Sequence, residues 1–491
     1  MGLNDLAHPR AKHLGFLRSF VTLVLLVTTA VPTGVSVDAA TSPVGYLAPA
    51  DLETTVPPAS STLVHTVPGR WRDALASARS LGLHVGTRYP MIDVFIVGGP
   101  RASLAGLAEN EAVRYLEANS SLEYFTNTSH EATRGGKVLE RVVRVNGRRI
   151  DGRGVGVAIV DTGIDGTHPD LVERMGGNVR IVCTRPGFLI GTVSECGGPK
   201  QAVELEDTDS PALGGHGTHV AGIVAGTGVA SDGRYHGAAP GATLYGVGIG
   251  TVLLIENALD GLRWVLDNHD RVTPPIRVVN NSWGSGYDPE DANDPATAAI
   301  TKMIDLLVED GVTVVFSAGN SGGDGSSTQT SLECANPTPG VICVANYDDV
   351  DLGGREGSLS PQSSRGRLGD PSTWPDISAP GSTITSTCRR TLPVCNFFGG
   401  GSSPEEFYAT LSGTSMAAPH VAGIAAQLLQ VAPSLSPRRI EDLLEDTAHM
   451  FTSGAPYERD PSNPSHRSSF DKGHGLVDVL AAIRLLLEGS P

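Results

Sequence analysis

Three short stretches of this 491-residue chain hold the residue types that nucleophilic catalysis requires. Leu411 to Gly423 reads LSGTSMAAPHVAG and sets Ser415 at the mouth of an expected helix. Gly413 before it lets the backbone turn sharply, and Ala417 and Ala418 after it keep bulk away from the hydroxyl. Pro419 fits a helix beginning, where the first N–H groups lack intrahelical partners. A serine hydroxyl is a weak nucleophile that needs a base within hydrogen-bond reach and a third group to orient that base. Gly214 to Gly222, GGHGTHVAG, supplies His216 between glycines at the start of a second apolar helix. Val155 to Leu171, VGVAIVDTGIDGTHPDL, supplies Asp161 at the end of an apolar run of the kind found in buried parallel strands. The chain order Asp, His, Ser is one of the known orders for such a triad.

Together the VDTGID, HGTHVAG and GTSMAAPHVAG segments resemble those of subtilisin-like serine proteases, the subtilases, over about residues 150 to 485. The resemblance implies an α/β fold of three layers around a mostly parallel central sheet. It also implies Asp161 as the orienting acid, His216 as general base and then acid, and Ser415 as the nucleophile. Val312 to Gly322, VTVVFSAGNSG, resembles the family segment whose asparagine amide donates to the oxyanion, here Asn320. Ser282, Trp283 and Gly284 resemble the strand that pairs with substrate backbone. Gly284, Ala318 and Gly319 are expected to leave the P1 pocket open to a large apolar side chain, whereas Glu333 near that pocket would favour Lys or Arg. Gly246 to Thr251 is expected to be the facing substrate strand, running directly into a helix. Asp376 to Gly381 (DISAPG) and Gly473 to Asp478 (GHGLVD) resemble further family segments and read as structural.

Two rival readings are open. Gly319 to Gly323, GNSGG, fits the G-x-S-x-G elbow and would make Ser321 the nucleophile of an esterase, but an elbow needs a helix next, and GGDGSSTQTS is a poor one. An inactive relative acting as a binding protein would show a broken motif, and all the motifs are intact. His168, His219 and His420 read as structural.

The elements that must position these groups alternate apolar strands near 155–160, 179–182, 243–249, 277–281, 312–317 and 341–345 with helices. That alternation means a parallel sheet covered on both faces, with its active crevice beyond the carboxyl ends of the strands. Asp161 and Asn320 both follow a strand end. Upstream, residues 62–118 follow a β-α-β-β-α-β order: strands 62–67, 83–88, 91–98 and 113–117 with helices 69–82 and 101–110. Trp71, Ala74, Leu75 and Ala78 form a helical stripe, and Ile92, Val94 and Ile96 alternate as a strand does. The order suggests a small ferredoxin-like α+β domain, and it resembles the subtilase pro-segment, which in the family assists folding and inhibits until cut. The polar stretch Asn119 to Thr133 is the expected processing region.

Residues 1–39 combine basic residues, the apolar run Phe20 to Val31 and small residues before a cut after Ala39, the pattern of a secretory signal. The expected organisation is therefore signal 1–39, linker and pro-segment 40–130, and catalytic domain 131–491, in a secreted, extracellular, monomeric protein. The six cysteines fall into three neighbouring pairs, Cys183 with Cys196, Cys334 with Cys343 and Cys388 with Cys395. Proximity alone favours those disulfides among the fifteen pairings that six cysteines allow. A formal net charge of −17 argues against nucleic acid or anionic membrane as partners. Protein or peptide substrates and the chain's own pro-segment remain as partners. The chemistry calls for no cofactor. Asp348, Asp349 and Asp351, or the DTDS run from Asp207, offer hard oxygens for structural Ca²⁺, with solvated loops as the other reading. Asn119, Asn127 and Asn280 open glycosylation sequons.

Overall fold

The computed structural model describes Tyr46, Leu47 and residues 61–488, except 120, 125–128, 131–137, 140–143, 146, 185–188, 191–192, 195–199, 210–213, 251–252, 285–297, 350–353, 398–406 and 460–465. The expected signal, Cys196, Asn127 and Asp351 lie outside the described residues.

The upstream domain runs β1 (Thr62–Thr66), α1 (Trp71–Ser80), β2 (His84–Tyr89), β3 (Val94–Gly98), α2 (Arg101–Ala108) and β4 (Val113–Ala118). Its antiparallel strands lie in the order β4-β1-β3-β2, with Tyr46–Leu47 added at the β4 edge. Alternate residues of these strands serve different cores. Val64, Phe95 and Leu116 pack with Leu75 and Leu104 of the domain's own helices. Leu63, Val94 and Ile96 face the other way, into a core shared with the large domain. The expected strand 91–98 begins only at Val94. Pro90–Ile92 is a 3₁₀ turn followed by Asp93 in the left-handed region, yet Ile92 still joins Val94 and Ile96 in the shared core.

β4 leads into β5 (Ser121–Tyr124), and the large domain follows with β6 (Gly156–Asp161), β7 (Met175–Cys183), β8 (Lys200–Glu204), α3 (His216–Ala225), β9 (Thr243–Gly248) and β10 (Leu253–Leu254). Next come α4 (Ile255–Asn268), β11 (Ile276–Asn281), β12 (Trp283–Gly284), α5 (Ala299–Glu309), β13 (Thr313–Ser317) and β14 (Val341–Asp348). The chain then forms β15 (Ile377–Pro380), β16 (Thr383–Thr387), β17 (Tyr408–Leu411), α6 (Thr414–Val431), α7 (Pro437–Thr447) and α8 (Val479–Glu488). The central sheet has the order β8-β7-β9-β6-β11-β13-β14, with β15 on β14 and the short strand Ser358–Leu359 antiparallel at the end of β14. Apart from that short strand, every pairing in the sheet is parallel except β8 with β7. All six strands expected from the apolar runs are present.

β6 explains why its sequence is an unbroken apolar run. Val157 and Ile159 point to the core beneath α3 and α6, whereas Ala158 and Val160 point to the core beneath α4 and α5. A strand covered on both faces has no polar side to show. Among the described residues no helix is long and apolar enough to cross a membrane.

Candidate active site

Three elements converge at the carboxyl ends of the central strands. β6 ends on Asp161, α3 begins on His216 and α6 carries Ser415 in its first turn. All three side chains are almost wholly buried. His216 Nδ1 lies 2.8 Å from Asp161 Oδ1 and 3.0 Å from Oδ2. That contact assigns the ring proton to Nδ1 and the lone pair to Nε2. Gly217 makes the approach possible, because a Cβ there would stand 2.2 Å from the Gly163 carbonyl oxygen and 3.1 Å from Asp161.

Behind the pair lies a buried group that the sequence reading placed in a loop as a calcium ligand or a solvated acid. Asp209 Oδ1 accepts from Thr162 Oγ1 at 2.9 Å, and Oδ2 accepts from Gly215 N–H at 3.0 Å and from the Thr218 hydroxyl. Thr162 Oγ1 in turn accepts from Gly217 N–H at 2.9 Å. Asp209 thus ties the residue after Asp161 to the residues flanking His216. With O–H and N–H donors on both oxygens, it suits hydrogen bonding and not a cation. Burial pushes its carboxyl up to about 6, against the pull of those donors. The disulfide Cys388–Cys395 packs on the same turn, and a Cβ on Gly215 would stand 2.7 Å from Cys395 Sγ. Cys334–Cys343 is the second neighbouring pair that forms, and Cys183 is also disulfide-bonded.

Ser415 and Ser282 are bonded reciprocally. Ser415 Oγ donates to the Ser282 carbonyl at 3.0 Å, and Ser282 Oγ donates to the Ser415 carbonyl at 2.8 Å. Pro419 makes the second bond possible. It lies inside α6, not in the first turn as expected, and has no N–H to give the carbonyl four residues earlier, which is that of Ser415. Asn280 Nδ2 donates to Ser282 Oγ at 2.9 Å and holds it in place. Gly413, at φ 152°, turns the chain into the helix.

Asn320 Oδ1 accepts from the Thr414 N–H at 3.0 Å and from its hydroxyl at 3.3 Å. Its Nδ2 is thereby aimed away from Thr414, and this buried amide nitrogen has no hydrogen-bond partner among the described residues. Gly319 N–H donates to Thr414 Oγ1 at 3.1 Å, and Ser331 N–H donates to the Ala318 carbonyl at 3.1 Å. The buried Glu333 follows that last contact on a 3₁₀ turn. Ser321 is exposed, and no α-helix follows it, so the elbow that the esterase reading needs is absent.

The strands expected to grip substrate differ from expectation in one place. β12 is where the sequence put it, but the facing strand is β10, Leu253–Leu254, whereas most of Gly246 to Thr251 belongs to the central sheet or the turn after it. Trp283 pairs with Tyr124 of the upstream domain through its backbone. Its indole is fully buried, donates to the Val160 carbonyl at 2.7 Å and meets Phe316 edge-on. Between β10 and β12 lies β5 of the upstream domain, antiparallel to both: Leu122 pairs with Leu253, Ser121 with Leu254, Glu123 with Gly284 and Tyr124 with Trp283.

The remaining expectations resolve simply. His168, His219 and His420 each bond a backbone carbonyl. Burial pushes His420 down to about 4. Asn280 is wholly buried, and Asn119 is nearly so, bonded to Ser61 Oγ and Glu256 N–H, so neither sequon is accessible in the folded chain.

Residues 152–475 match the model of the subtilase family. Serine protease AprX of Bacillus subtilis is 33% identical over 360 residues, spanning 71% of this chain and 72% of AprX. Subtilisin E of the same organism is 28% identical over 389 residues, 77% of this chain and 80% of its own. The crystal structure of fervidolysin from Fervidobacterium pennivorans, described as a keratinolytic enzyme related to subtilisin, superposes with a TM-score of 0.60 at 25% identity. That match covers 90% of this chain and 64% of fervidolysin. With its triad segments on the strand and helix ends that a parallel α/β sheet turns toward its crevice, the chain belongs to the subtilase family of serine endopeptidases.

Proposed function

We propose that this protein is a secreted endopeptidase made as a precursor, cutting peptide bonds through Asp161, His216 and Ser415 and first occupied by its own pro-segment. The observation that carries this reading is β5 in the cleft. An extended strand paired on both sides by backbone is how a cleft grips peptide without regard to its sequence. Its register leads toward Ser282, whose carbonyl holds the Ser415 hydroxyl.

The reaction follows from the geometry. An incoming substrate N–H competes for the Ser282 carbonyl and favours rotation of the Ser415 hydroxyl toward His216. His216 Nε2 takes the hydroxyl proton as Oγ attacks the peptide carbonyl carbon, and Asp161 stabilises the imidazolium through Nδ1–H. Asn320 Nδ2 and the Ser415 N–H receive the oxyanion. Collapse breaks the C–N bond, His216 returns its proton to the departing amine, and water repeats the sequence on the acyl-enzyme.

From the pairing of Glu123 with Gly284 and Tyr124 with Trp283 we infer that the maturation cut follows β5 at Phe125–Thr126, residues outside the described ones, with Phe125 as the P1 residue. Gly284, Ala318 and Gly319 suit such a side chain. Expressed in a host without other extracellular proteases, wild type should end at the mass of a chain beginning near Thr126. Ser415→Ala should remain a precursor. A Ser415→Ala protein that matures normally would overturn self-cleavage, and labelling wild type with a fluorophosphonate would then say whether Ser415 is the nucleophile at all.

A further inference from the structure

Far along the chain, three segments distant in sequence meet around α7. Asp376 comes from the residue before β15, Glu441 and Glu445 from α7, and His466 and His474 from the segment between α7 and α8. One ligand atom from each of Glu445, His466 and His474 lies within 4.8 Å of the other two, and the same is true of Asp376, Glu441 and Glu445. Glu445 therefore belongs to both groups. A cavity of about 460 Å³ borders Asp376, Glu441, Glu445 and His474.

The donor set has a definite chemistry. Calcium takes oxygen ligands, whereas two imidazoles with a carboxylate form a set that zinc favours. The second nitrogen of a metal-bound imidazole usually has an outer partner that fixes the ring. His466 Nε2 lies 2.7 Å from Asp446 Oδ1, and His474 Nδ1 lies 3.0 Å from the Asp376 carbonyl oxygen and 3.5 Å from Glu445 Oε1. The rings stand 5.6 Å apart at 83°, an arrangement that lets two nitrogens converge from different directions. His474 is buried and so is its Nε2 atom. The charge is also of the right sign, since Glu441 has the carboxylates of Asp376, Glu445 and Asp442 as neighbours.

We propose that Glu445, His466 and His474 bind a zinc ion, with Asp376 and Glu441 beside them as the source of a further oxygen ligand. The ion would join α7, β15 and the segment leading to α8, and would take no part in peptide cleavage.

The test uses the full chain carrying Ser415→Ala, stripped with EDTA, desalted and titrated with ZnCl₂ by calorimetry, with CoCl₂ as a spectroscopic substitute. One zinc per chain is expected, along with the intense visible bands of tetrahedral Co²⁺ coordination. His466→Gln and Glu445→Gln should each weaken zinc binding by at least about tenfold. The His466 side chain is 18% exposed, so that substitution is compatible with an intact fold. The proposal is overturned if no saturable one-to-one zinc site exists, if His466→Gln binds zinc as well as its parent, or if Ca²⁺ takes the site and Zn²⁺ does not.

Discussion

Two buried histidine–carboxylate pairs serve opposite ends in this molecule. In the cleft, His216 meets Asp161 through Nδ1 at 2.8 Å, so the basic lone pair belongs to Nε2. On the upstream domain, His65 meets Glu117 through Nε2 at 2.6 Å, and its Nδ1 lies 2.7 Å from Lys302 Nζ on α5 of the catalytic domain. The lone pair of His65 is thus taken by an ammonium group, and the ring stacks on Tyr115 with centroids 4.1 Å apart. The pairs share chemistry and burial. What differs is the group that meets the second nitrogen: in the proposed mechanism His216 Nε2 is kept for the Ser415 hydroxyl, whereas Nδ1 of His65 is taken by a lysine.

The largest effect tests this division of labour. His216→Ala should lower turnover by about 10⁶-fold, of the order known for subtilisin itself, and should leave a precursor. His65→Ala should leave kcat of the mature enzyme unchanged and weaken the hold of the pro-segment. Steady-state kinetics on mature enzyme and inhibition by released pro-segment separate the two, and a loss of kcat in His65→Ala would break the comparison.

Next in size is Asn320→Ala, expected to cost about 10²- to 10³-fold in kcat because its buried Nδ2 is the proposed oxyanion donor. A folded variant with wild-type turnover would remove Asn320 from the mechanism.

The smallest effect is a pH dependence. Burial chiefly holds His65 below its ordinary 6.5 while docked, with Lys302 and Arg114 adding to the effect and Glu117 opposing it. A group whose pKa is depressed in the docked state takes up its proton more readily after release. Docking is therefore at full strength above about pH 6.5 and weakens as pH falls below it, by at most about tenfold per pH unit. His65→Gln should flatten the curve of inhibition against pH. An equally steep curve in that variant would assign the dependence to other groups.

The segments around Asp161, His216 and Ser415 were legible because close packing constrains their neighbours. Glycines and alanines flank Ser415 and His216 to admit close approach, and the strand before Asp161 must be apolar on both faces. The six parallel strands were legible for the same reason. β15 was not, because ISAP is short and lies in a segment with no alternating pattern. Asp209 was misread because a DTDS run looks like a solvated loop, and only the fold brings Thr162, Thr218 and the Gly215 N–H around it. Trp283 lies on a strand, but no sequence pattern says that its indole turns into the core toward Val160. The position of β10 escaped because two leucines before a helix carry no strand signal until β5 lies beside them.

The crossed bonds between Ser282 and Ser415 have a metrical consequence. Ser415, the proposed nucleophile, is fastened, through the carbonyl that Pro419 leaves unclaimed, to Ser282, the residue just before β12. Those bonds make a zero mark, and β12 is the ruler that starts from it. A substrate that slipped by one residue would present every side chain to the opposite face. In the proposed function the cut is therefore placed by counting whole residues along the paired strand.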